Sequence, residues 1–112
     1  MNTSTPPLQA ALDAAIARYQ ARHPRSAAQL QRAQAVMPGG NTRSVLYQQP
    51  FPLAMVRGEG CWLWCADGHR LLDALGEFTA GLYGHSDPLI RQAIVQALDD
   101  GLSLSSHTLR EV

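Results

Sequence analysis

Apolar residues recur at helical spacing in three stretches of the chain, residues 5–22, 26–37 and 88–100. In each stretch they follow one another at intervals of three and four positions, which places them on one face of an α-helix. Thr5 is a suitable N-cap for the first helix, with Pro6 in the first helical position. The pattern therefore predicts two amino-terminal helices and one later helix.

Capping signals mark the ends of the second and third helices. Ser26 with Gln29 three residues later forms a capping box, so the second helix is predicted to begin there. Asp87 followed by Pro88 is typical of an N-cap and a first helical turn. Gly101 is suited to the position just after the end of the third helix.

The stretch between the second and third helices has extended rather than helical patterning. Residues 53–56, 61–65 and 70–73 are short apolar runs, and residues 61–65 are rich in aromatic side chains, as β-strands prefer. Joined by short turns, these runs predict a small antiparallel meander over residues 53–73. The sequence therefore predicts an α+β fold with amino-terminal helices, a three-stranded sheet and one further helix.

Glycine-containing turns separate the predicted strands. Residues 58–60 predict the first turn. Asp67-Gly68 lies between two apolar runs and predicts a hairpin with a type I′ turn, in which both central residues take positive φ. Residues 74–87 follow as an apolar loop without regular structure, because glycines interrupt it at Gly76, Gly81 and Gly84.

Composition disfavours several classes of function. The 112-residue chain is 46% hydrophobic with a formal net charge of zero, which gives no reason to expect a nucleic acid or an anionic membrane as partner. No apolar run approaches the ~20 residues needed to span a bilayer. The first residues lack the features of a secretory signal, so we expect a cytoplasmic protein.

The two cysteines, Cys61 and Cys65, lie on one face of a predicted strand, roughly 13 Å apart at ~3.3 Å per residue. A disulfide needs Cα atoms within about 7 Å, so the two cysteines should not pair with each other. The four histidines stand in separate predicted loops without ligand spacing, which disfavours a metal-binding module.

All nine basic residues are arginines, and the chain contains no lysine. One of the arginines, Arg43, lies in residues 38–52, a long irregular loop of the kind that is often functional. A planar guanidinium is well matched to a carboxylate, so Arg43 is a candidate for binding an acidic group. A solvated loop arginine is the alternative.

His85, Ser86 and Asp87 carry catalytic residue types in consecutive positions. A catalytic relay requires side chains that converge in space, which adjacent residues cannot do. Since Asp87 is predicted to cap a helix, His85 is predicted to anchor the loop through hydrogen bonds.

Several motifs, in order, resemble one protein family. Residues 37–41 read Met-Pro-Gly-Gly-Asn, residues 41–45 read Asn-Thr-Arg-Ser-Val, and the hairpin and glycine loop of residues 57–88 follow. Together they are similar to the amino-terminal segment of class III aminotransferases, which are fold-type I pyridoxal-phosphate enzymes. The resemblance covers roughly residues 36–112 and is more specific than a lone glycine motif.

The resemblance implies a substrate-binding role for three residues. In this family the loop after Pro-Gly-Gly reaches the active site, where Arg43 would hold the substrate carboxylate. Phe78 and Thr79 would line the substrate pocket, with Phe78 as a hydrophobic wall for the substrate side chain; ordinary core packing of Phe78 is the alternative. The implied substrates are an amino acid and a keto acid.

The resemblance also implies a cofactor and further protein. The whole enzyme would use pyridoxal 5'-phosphate, held by a larger α/β domain that lies downstream and supplies the Schiff-base lysine. Because this chain contains no lysine, it cannot form that bond, and we expect it to be inactive alone. The family is dimeric, so a homodimer is expected.

The spacing of Asn41 and Arg43 separates two branches of the family. Glutamate-1-semialdehyde aminomutases usually carry the arginine four residues after the asparagine, whereas here it follows after two. The sequence Asn-Thr-Arg-Ser-Val is more similar to relatives that act on β-amino acids. It favours plain transamination, with an aminomutase as the alternative.

The last residues carry a signal for a helix start. Thr108 and Glu111 form a capping box one residue before the chain stops, which favours a truncated chain. We expect residues 1–37 to form the amino-terminal helices and residues 38–112 to be an incomplete small-domain segment, with a helix beginning at 108–112. A stand-alone interaction module from a truncated gene is the alternative from another functional class.

Overall fold

The computed structural model describes residues 7–101 and 103–111. The helices are α1 (Pro7–Arg22), α2 (Pro24–Gln34) and α3 (Pro88–Asp100), and the strands are β1 (Met55–Glu59), β2 (Trp62–Cys65) and β3 (Arg70–Leu72). The strands form one antiparallel sheet in the order β1-β2-β3, so the predicted α+β fold is confirmed. The predicted cap at Thr5 and Pro6 lies outside the described residues. None of the described helices is long and apolar enough to cross a bilayer.

The described chain divides into two compact units. The first contains the residues up to Arg57 together with Leu63–Leu72. The second contains Gly58–Trp62 together with the residues from Asp73 onward. Strands β1 and β2 contribute residues to both units.

Helix α2 begins at Pro24, before the predicted start, because proline suits the first helical position. The predicted capping box is wrong, since Ser26 lies inside the helix and its hydroxyl donates to the Asp67 carboxylate at 2.6 Å. The backbone N–H groups of Arg25 and Ser26 donate to the same carboxylate at 2.7 and 3.2 Å. A residue of the β2–β3 turn therefore caps α2.

These bonds also fix the charge of the capping residue. Burial raises the pKa of the Asp67 carboxyl, but the hydrogen bonds from Ser26 and from the backbone of Arg25 outweigh it and hold the pKa below its ordinary value. At its other end α2 stops at Gln34, short of the predicted residue 37, because the chain tightens into a turn before Pro38–Gly40.

The turn between β2 and β3 differs from the predicted one. Gly68 has a φ of 86°, but Asp67 does not take positive φ. The N–H of Gly68 donates to the Cys65 carbonyl at 3.0 Å, and the N–H of Cys65 donates to the His69 carbonyl at 3.1 Å. This is a three-residue loop that ends in a left-handed glycine. The hairpin is confirmed, and the type I′ assignment is wrong because a type I′ turn needs positive φ at both central residues and Asp67 lacks it.

Strand β1 continues through positions that the sequence assigned to a turn. Gly58 and Glu59 lie in the strand, and the chain reverses only after Gly60, which has a φ of 55°. A Cβ at Gly58 would lie 2.7 Å from the His85 side chain. The absence of a side chain at Gly58 therefore permits close packing rather than a turn.

The first unit has a small core at the carboxyl end of α1. Phe51 is 6% exposed, the Tyr19 ring lies 5.1 Å from its ring, and the Tyr19 hydroxyl donates to the Phe51 carbonyl at 2.8 Å. Burial raises the pKa of Tyr19, as do the nearby Cys65 and Asp67 groups. Cys65 is buried and Cys61 exposed, and neither forms a disulfide, as predicted.

The predicted apolar stripe of α1 is mostly exposed. Among the described residues of this helix, Ile16 and Tyr19 alone are partly buried, whereas Leu8 is 82% exposed and Leu12 50% exposed. Packing therefore holds α1 at its carboxyl end.

Helix α3 has the predicted bounds. Asp87 accepts hydrogen bonds from the N–H groups of Leu89 and Ile90, each at 3.0 Å, which confirms the predicted N-cap. The N–H of Gly101 donates to the Leu98 carbonyl at the other end, at 3.2 Å. The apolar face of α3 is exposed, with Leu89 at 76%.

The predicted capping box near the carboxyl end is present in part. The Glu111 carboxylate accepts from the Thr108 N–H at 3.0 Å, and Leu109–Glu111 form a 3₁₀ turn. The bond from Thr108 holds the pKa of Glu111 below its ordinary value.

Candidate functional site

The loop that carries Arg43 leaves helix α2 through a tight turn. Gly40 is buried and has a φ of 69°. A Cβ at this position would lie 2.7 Å from Cγ of Gln34 and 2.9 Å from Cδ1 of Leu30. Only glycine fits this close approach, so the Pro-Gly-Gly sequence sets the direction in which the loop departs.

Arg43 itself is extended and exposed, with a φ of −147° and a ψ of 118°. Its carbonyl accepts from the Leu46 N–H at 3.0 Å, which begins a 3₁₀ turn over Ser44–Leu46. Within the described ranges its guanidinium has no hydrogen bond or ion pair. Its planar set of N–H donors is therefore available to a carboxylate.

Phe78 and Thr79 lie in an unusual backbone turn of the second unit. Four consecutive residues, Gly76 to Thr79, have positive φ values of 55°, 51°, 55° and 77°. The left-handed conformation costs a residue other than glycine roughly 1–2 kcal/mol. The turn is therefore strained at Glu77, Phe78 and Thr79. Both predicted site side chains are exposed, Phe78 by 52%, so neither is packed into a core.

One carboxylate connects the two ends of the loop at residues 74–87. Oδ1 of Asp73 accepts from the N–H groups of Leu75 and Gly76 at 3.0 and 2.9 Å. Its Oδ2 lies 2.7 Å from Nε2 of His85, which donates because a carboxylate can only accept. The hydrogen bonds from Gly76 and His85 hold the pKa of Asp73 below its ordinary value, against the effect of burial.

His85 is held by its backbone as well as by its ring. It pairs with Gly60 through two backbone hydrogen bonds of 2.8 and 2.9 Å. Its ring packs against Gly58, and Nδ1 lies 3.5 Å from the Glu77 carboxylate. The Ser86 hydroxyl donates to the Gly58 carbonyl at 2.8 Å. The prediction that His85 anchors the loop is confirmed.

A cavity of about 350 Å³ opens beside this network. Asp73 and His85 line it, together with Cys61, Tyr83 and residues of the glycine loop. Small-molecule pockets usually measure about 300–1,000 Å³. Phe78 and Thr79 are not among its lining residues.

A second cavity, of about 480 Å³, lies in the first unit beside α2 and β1. Arg25 and Arg32 give it positive charge, and Met55 and Val56 give it an apolar wall. The Arg25 guanidinium already donates to the Ala66 carbonyl at 3.2 Å. Arg43 does not line this cavity.

The three predicted site residues fall in both units. Arg43 belongs to the first unit, and Phe78 and Thr79 share one turn of the second. Their contact with a substrate stays a prediction.

Sequence reasoning missed Asp73, which was placed only at the end of a strand. Its Oδ1 accepts from backbone N–H groups two and three residues later. An aspartate shortly before a glycine is typical of such a side chain–backbone turn, and this signal was available in the sequence.

Neither a metal nor a covalently held cofactor finds its ligands in the described chain. No group of three or more His, Cys, Asp or Glu side chains in residues 7–101 and 103–111 is arranged to hold a metal ion. The chain also has no lysine, so its residues do not fit covalent binding of pyridoxal phosphate.

Both the sequence and the fold match one family of enzymes. The profile of the aminotransferase class-III family matches residues 44–111. The chain belongs to the aminotransferase class-III family, which confirms the resemblance carried by its motifs.

Individual relatives show the same relationship. The chain is 48% identical over 106 residues to the β-phenylalanine transaminase of Variovorax paradoxus, covering 91% of this chain and 24% of that protein. It is 34% identical over 94 residues to the glutamate-1-semialdehyde 2,1-aminomutase of Methanopyrus kandleri, covering 84% of this chain and 22% of that protein. The chain thus spans about a quarter of the length of these relatives.

Solved structures agree with the sequence comparison. The crystal structure of a β-phenylalanine aminotransferase from Variovorax paradoxus matches with a TM-score of 0.85 and 48% identity, over 90% of this chain and 24% of that chain. A transaminase solved with pyridoxal phosphate bound matches with a TM-score of 0.76 and 36% identity, over 80% of this chain and 21% of that chain.

Proposed function

We propose that this chain is the amino-terminal segment of a pyridoxal-phosphate-dependent transaminase that transfers an amino group between an amino acid and a keto acid. β-Amino acids are the proposed amino-acid substrates. The observation that carries the proposal is the 48% identity to a β-phenylalanine transaminase over 91% of the chain. The sequence Asn-Thr-Arg-Ser-Val at residues 41–45 supports the same substrate class.

Within this enzyme we assign substrate recognition to Arg43, Phe78 and Thr79. The Arg43 guanidinium would bind the substrate carboxylate. In support, it is exposed and has no ion pair among the described residues, so no existing bond must be broken. Phe78 and Thr79 would contact the substrate side chain, and the exposure of Phe78 leaves its ring available for that contact.

The cofactor, the assembly and the location belong to the same proposal. A lysine outside this chain would hold pyridoxal phosphate, since this chain has none. The homodimer implied by the family resemblance is supported by large apolar residues that α1 and α3 leave exposed, such as Leu8 at 82% and Leu89 at 76%. A cytoplasmic location remains the expectation from the sequence.

A graft tests the proposal directly. The aligned 24% of the Variovorax β-phenylalanine transaminase would be replaced by this chain, and transamination of β-phenylalanine with a keto acid would be measured. We expect the hybrid enzyme to turn over within about tenfold of the parent. A hybrid that folds and takes up the cofactor but transaminates no amino acid would contradict the proposal.

Arg43→Gln in the hybrid tests the assigned role of the arginine. Loss of a hydrogen-bonded charge pair is worth about 1.5–3 kcal/mol, which corresponds to a rise in KM of about 10–100-fold. Arg18→Gln, on an exposed position of α1, is the matched control and should leave KM unchanged. Equal effects of the two variants on KM would show that Arg43 does not bind the substrate.

The isolated chain is expected to be inactive. Without a lysine it should show neither turnover nor Schiff-base absorbance when mixed with pyridoxal phosphate, β-phenylalanine and a keto acid. Turnover by a pure sample would contradict this expectation.

A segment of an aminomutase is the second candidate, favoured by the 34% identity to glutamate-1-semialdehyde aminomutase. The reciprocal graft into that aminomutase separates the two. Aminomutase activity in that hybrid, with no transaminase activity in the first, would favour the second candidate.

A further inference from the structure

We propose that Asp73 and His85 are positioning residues that hold residues 74–87 in the left-handed turn which presents Phe78 and Thr79. This proposal rests on the proposed function only in the claim that Phe78 and Thr79 contact the substrate. How Asp73 and His85 hold the loop in an unfavourable backbone conformation is independent of that function.

The left-handed turn needs support from residues outside it. Glu77, Phe78 and Thr79 all take positive φ, a conformation that persists only where the surroundings enforce it. The turn carries backbone hydrogen bonds of its own: the N–H of Ala80 donates to the carbonyls of Glu77 and Gly76, and the N–H of Gly81 donates to the Gly76 carbonyl at 3.2 Å. Phe78 is 52% exposed, so burial of its ring does not supply the missing stabilisation.

Asp73 fixes the start of the turn. Its Oδ1 accepts from Leu75 and from Gly76, the first residue with positive φ. A Cβ at Gly76 would meet no atom within 4 Å, so no steric contact requires glycine at this position. Its N–H is held by the Asp73 carboxylate at 2.9 Å, and its carbonyl accepts from the Gly81 N–H at 3.2 Å.

His85 fixes the end of the loop and joins it to the start. Its backbone pairs with Gly60, and its ring packs on Gly58, which leaves Nε2 directed at Oδ2 of Asp73 at 2.7 Å. Nδ1 of the same ring lies 3.5 Å from the carboxylate of Glu77, inside the turn. One carboxylate and one imidazole thus connect the start of the loop with its end.

The pair is shielded from water, which makes these bonds effective. The side chain of Asp73 is 10% exposed and that of His85 16% exposed. A hydrogen bond in such surroundings is stronger than one in open solvent.

The test uses the full 112-residue chain and nuclear magnetic resonance. A short distance between the amide and α protons of one residue reports positive φ, and it would be measured at Glu77, Phe78 and Thr79. His85→Ala should lengthen these distances and speed amide exchange at Gly76 by about tenfold. His85→Gln should keep both near the wild-type values, because its amide nitrogen can replace Nε2.

Controls separate loss of positioning from loss of folding. His107→Ala removes a histidine of the same unit that is 99% exposed, and it should change nothing in the loop. The amide signals of Arg25 and Ser26, in the other unit, report whether the chain is folded. If those signals persist and the loop of His85→Ala keeps its positive φ, the proposal is overturned.

A milder pair covers the case in which His85→Ala does not fold. His85→Asn has a shorter side chain whose amide cannot reach Asp73 from the same backbone position. The loop should therefore change in His85→Asn and not in His85→Gln. Identical loops in these two variants would also overturn the proposal.

Kinetics in the hybrid enzyme separate this proposal from the proposed function. His85→Ala should raise KM for β-phenylalanine by about tenfold and leave kcat nearly unchanged, with rescue by His85→Gln. An active hybrid that is insensitive to His85→Ala would overturn the positioning role. If the wild-type hybrid is inactive, the proposed function is contradicted. If His85→Ala still alters the loop of the isolated chain as expected, the positioning role remains supported.

Discussion

The hydroxyl of Tyr19 donates a 2.8 Å hydrogen bond to the carbonyl of Phe51, and the two rings lie 5.1 Å apart. Tyr19→Phe removes this bond and leaves the ring contact. We expect the free energy of unfolding to fall by about 1 kcal/mol, measured by urea denaturation. Tyr83→Phe, at a residue that is 77% exposed, is the control and should have no effect. Equal stabilities of the two variants would show that the bond contributes nothing.

The same tyrosine makes stability depend on alkaline pH. Burial first, and then the groups of Cys65 and Asp67, raise the pKa of Tyr19 above its ordinary value. Because the pKa of Tyr19 is higher in the folded chain than in the unfolded chain, the protonated phenol contributes to stability. This contribution is fully present below the unfolded-state pKa of about 10 and is lost as the pH rises through the folded-state pKa. Unfolding measured from pH 8 to 11 should show a smaller loss of stability in Tyr19→Phe than in the wild type.

Asp67→Ala should lower the melting temperature, because it leaves the N–H groups of Arg25 and Ser26 without their cap. Amide exchange at these two positions should accelerate more than exchange in α3. Asp99→Ala, an exposed position on α3, is the matched control and should leave the melting temperature unchanged. Unaltered exchange at Arg25 in Asp67→Ala would contradict the assigned cap.

Acid should destabilise the chain through two carboxylates. The pKa of Asp67 is lowered because hydrogen bonds from Ser26 and Arg25 outweigh burial, and that of Asp73 is lowered by the bonds from Gly76 and His85. Their stabilisation is fully present above the unfolded value of about 3.9 and is lost as the pH falls through the lower folded values. Denaturant unfolding between pH 5 and 2 should show this loss.

The double variant Asp67→Asn, Asp73→Asn provides the comparison for that titration. It should be less stable at neutral pH and should lose less stability on acidification. An acid profile parallel to that of the wild type would assign the pH dependence to other groups.

Gly84→Ala should destabilise the chain more than Gly76→Ala. Both glycines have positive φ, 75° and 55°, so each substitution carries a backbone cost of roughly 1–2 kcal/mol. At Gly84 the new Cβ would also lie 2.9 Å from the carbonyl oxygen of Gly60, whereas at Gly76 it meets nothing within 4 Å. We expect a further loss of about 1–3 kcal/mol for Gly84→Ala, measured by urea denaturation. Equal losses would indicate that the Gly60 backbone moves freely.

The parts of the fold that the sequence predicted well are governed by neighbouring residues. Asp87 and Pro88 start α3 and Gly101 ends it, and each acts within one helical turn. The hairpin at Asp67-Gly68 was likewise readable, since glycine supplies the positive φ that the turn needs.

The wrong predictions concern positions whose local structure depends on a residue that is distant in sequence. Ser26 read as a local cap, but its partner is Asp67, 41 positions away in the chain. Gly58 was predicted to lie in a turn, since the local sequence does not show that the ring of the distant His85 packs against it.

The candidate site was predictable to different degrees. The anchoring role of His85 was predicted because adjacent residues cannot form a catalytic relay. Its partner Asp73 was missed because it lies 12 positions away in the chain. The left-handed turn was not predictable, since Glu77, Phe78 and Thr79 are residue types that normally avoid positive φ. The roles of Arg43, Phe78 and Thr79 came from the family resemblance, because no local rule identifies a substrate contact.

The cap of α2 has a consequence for how the chain acquires its structure during synthesis. Asp67 follows Arg25 by 42 positions, so the ribosome releases the start of the helix long before the carboxylate that completes it. Until the β2–β3 turn has been made, the N–H groups at the start of α2 are left to water. The helix therefore gains its cap only after the first hairpin strand and the turn have been synthesised.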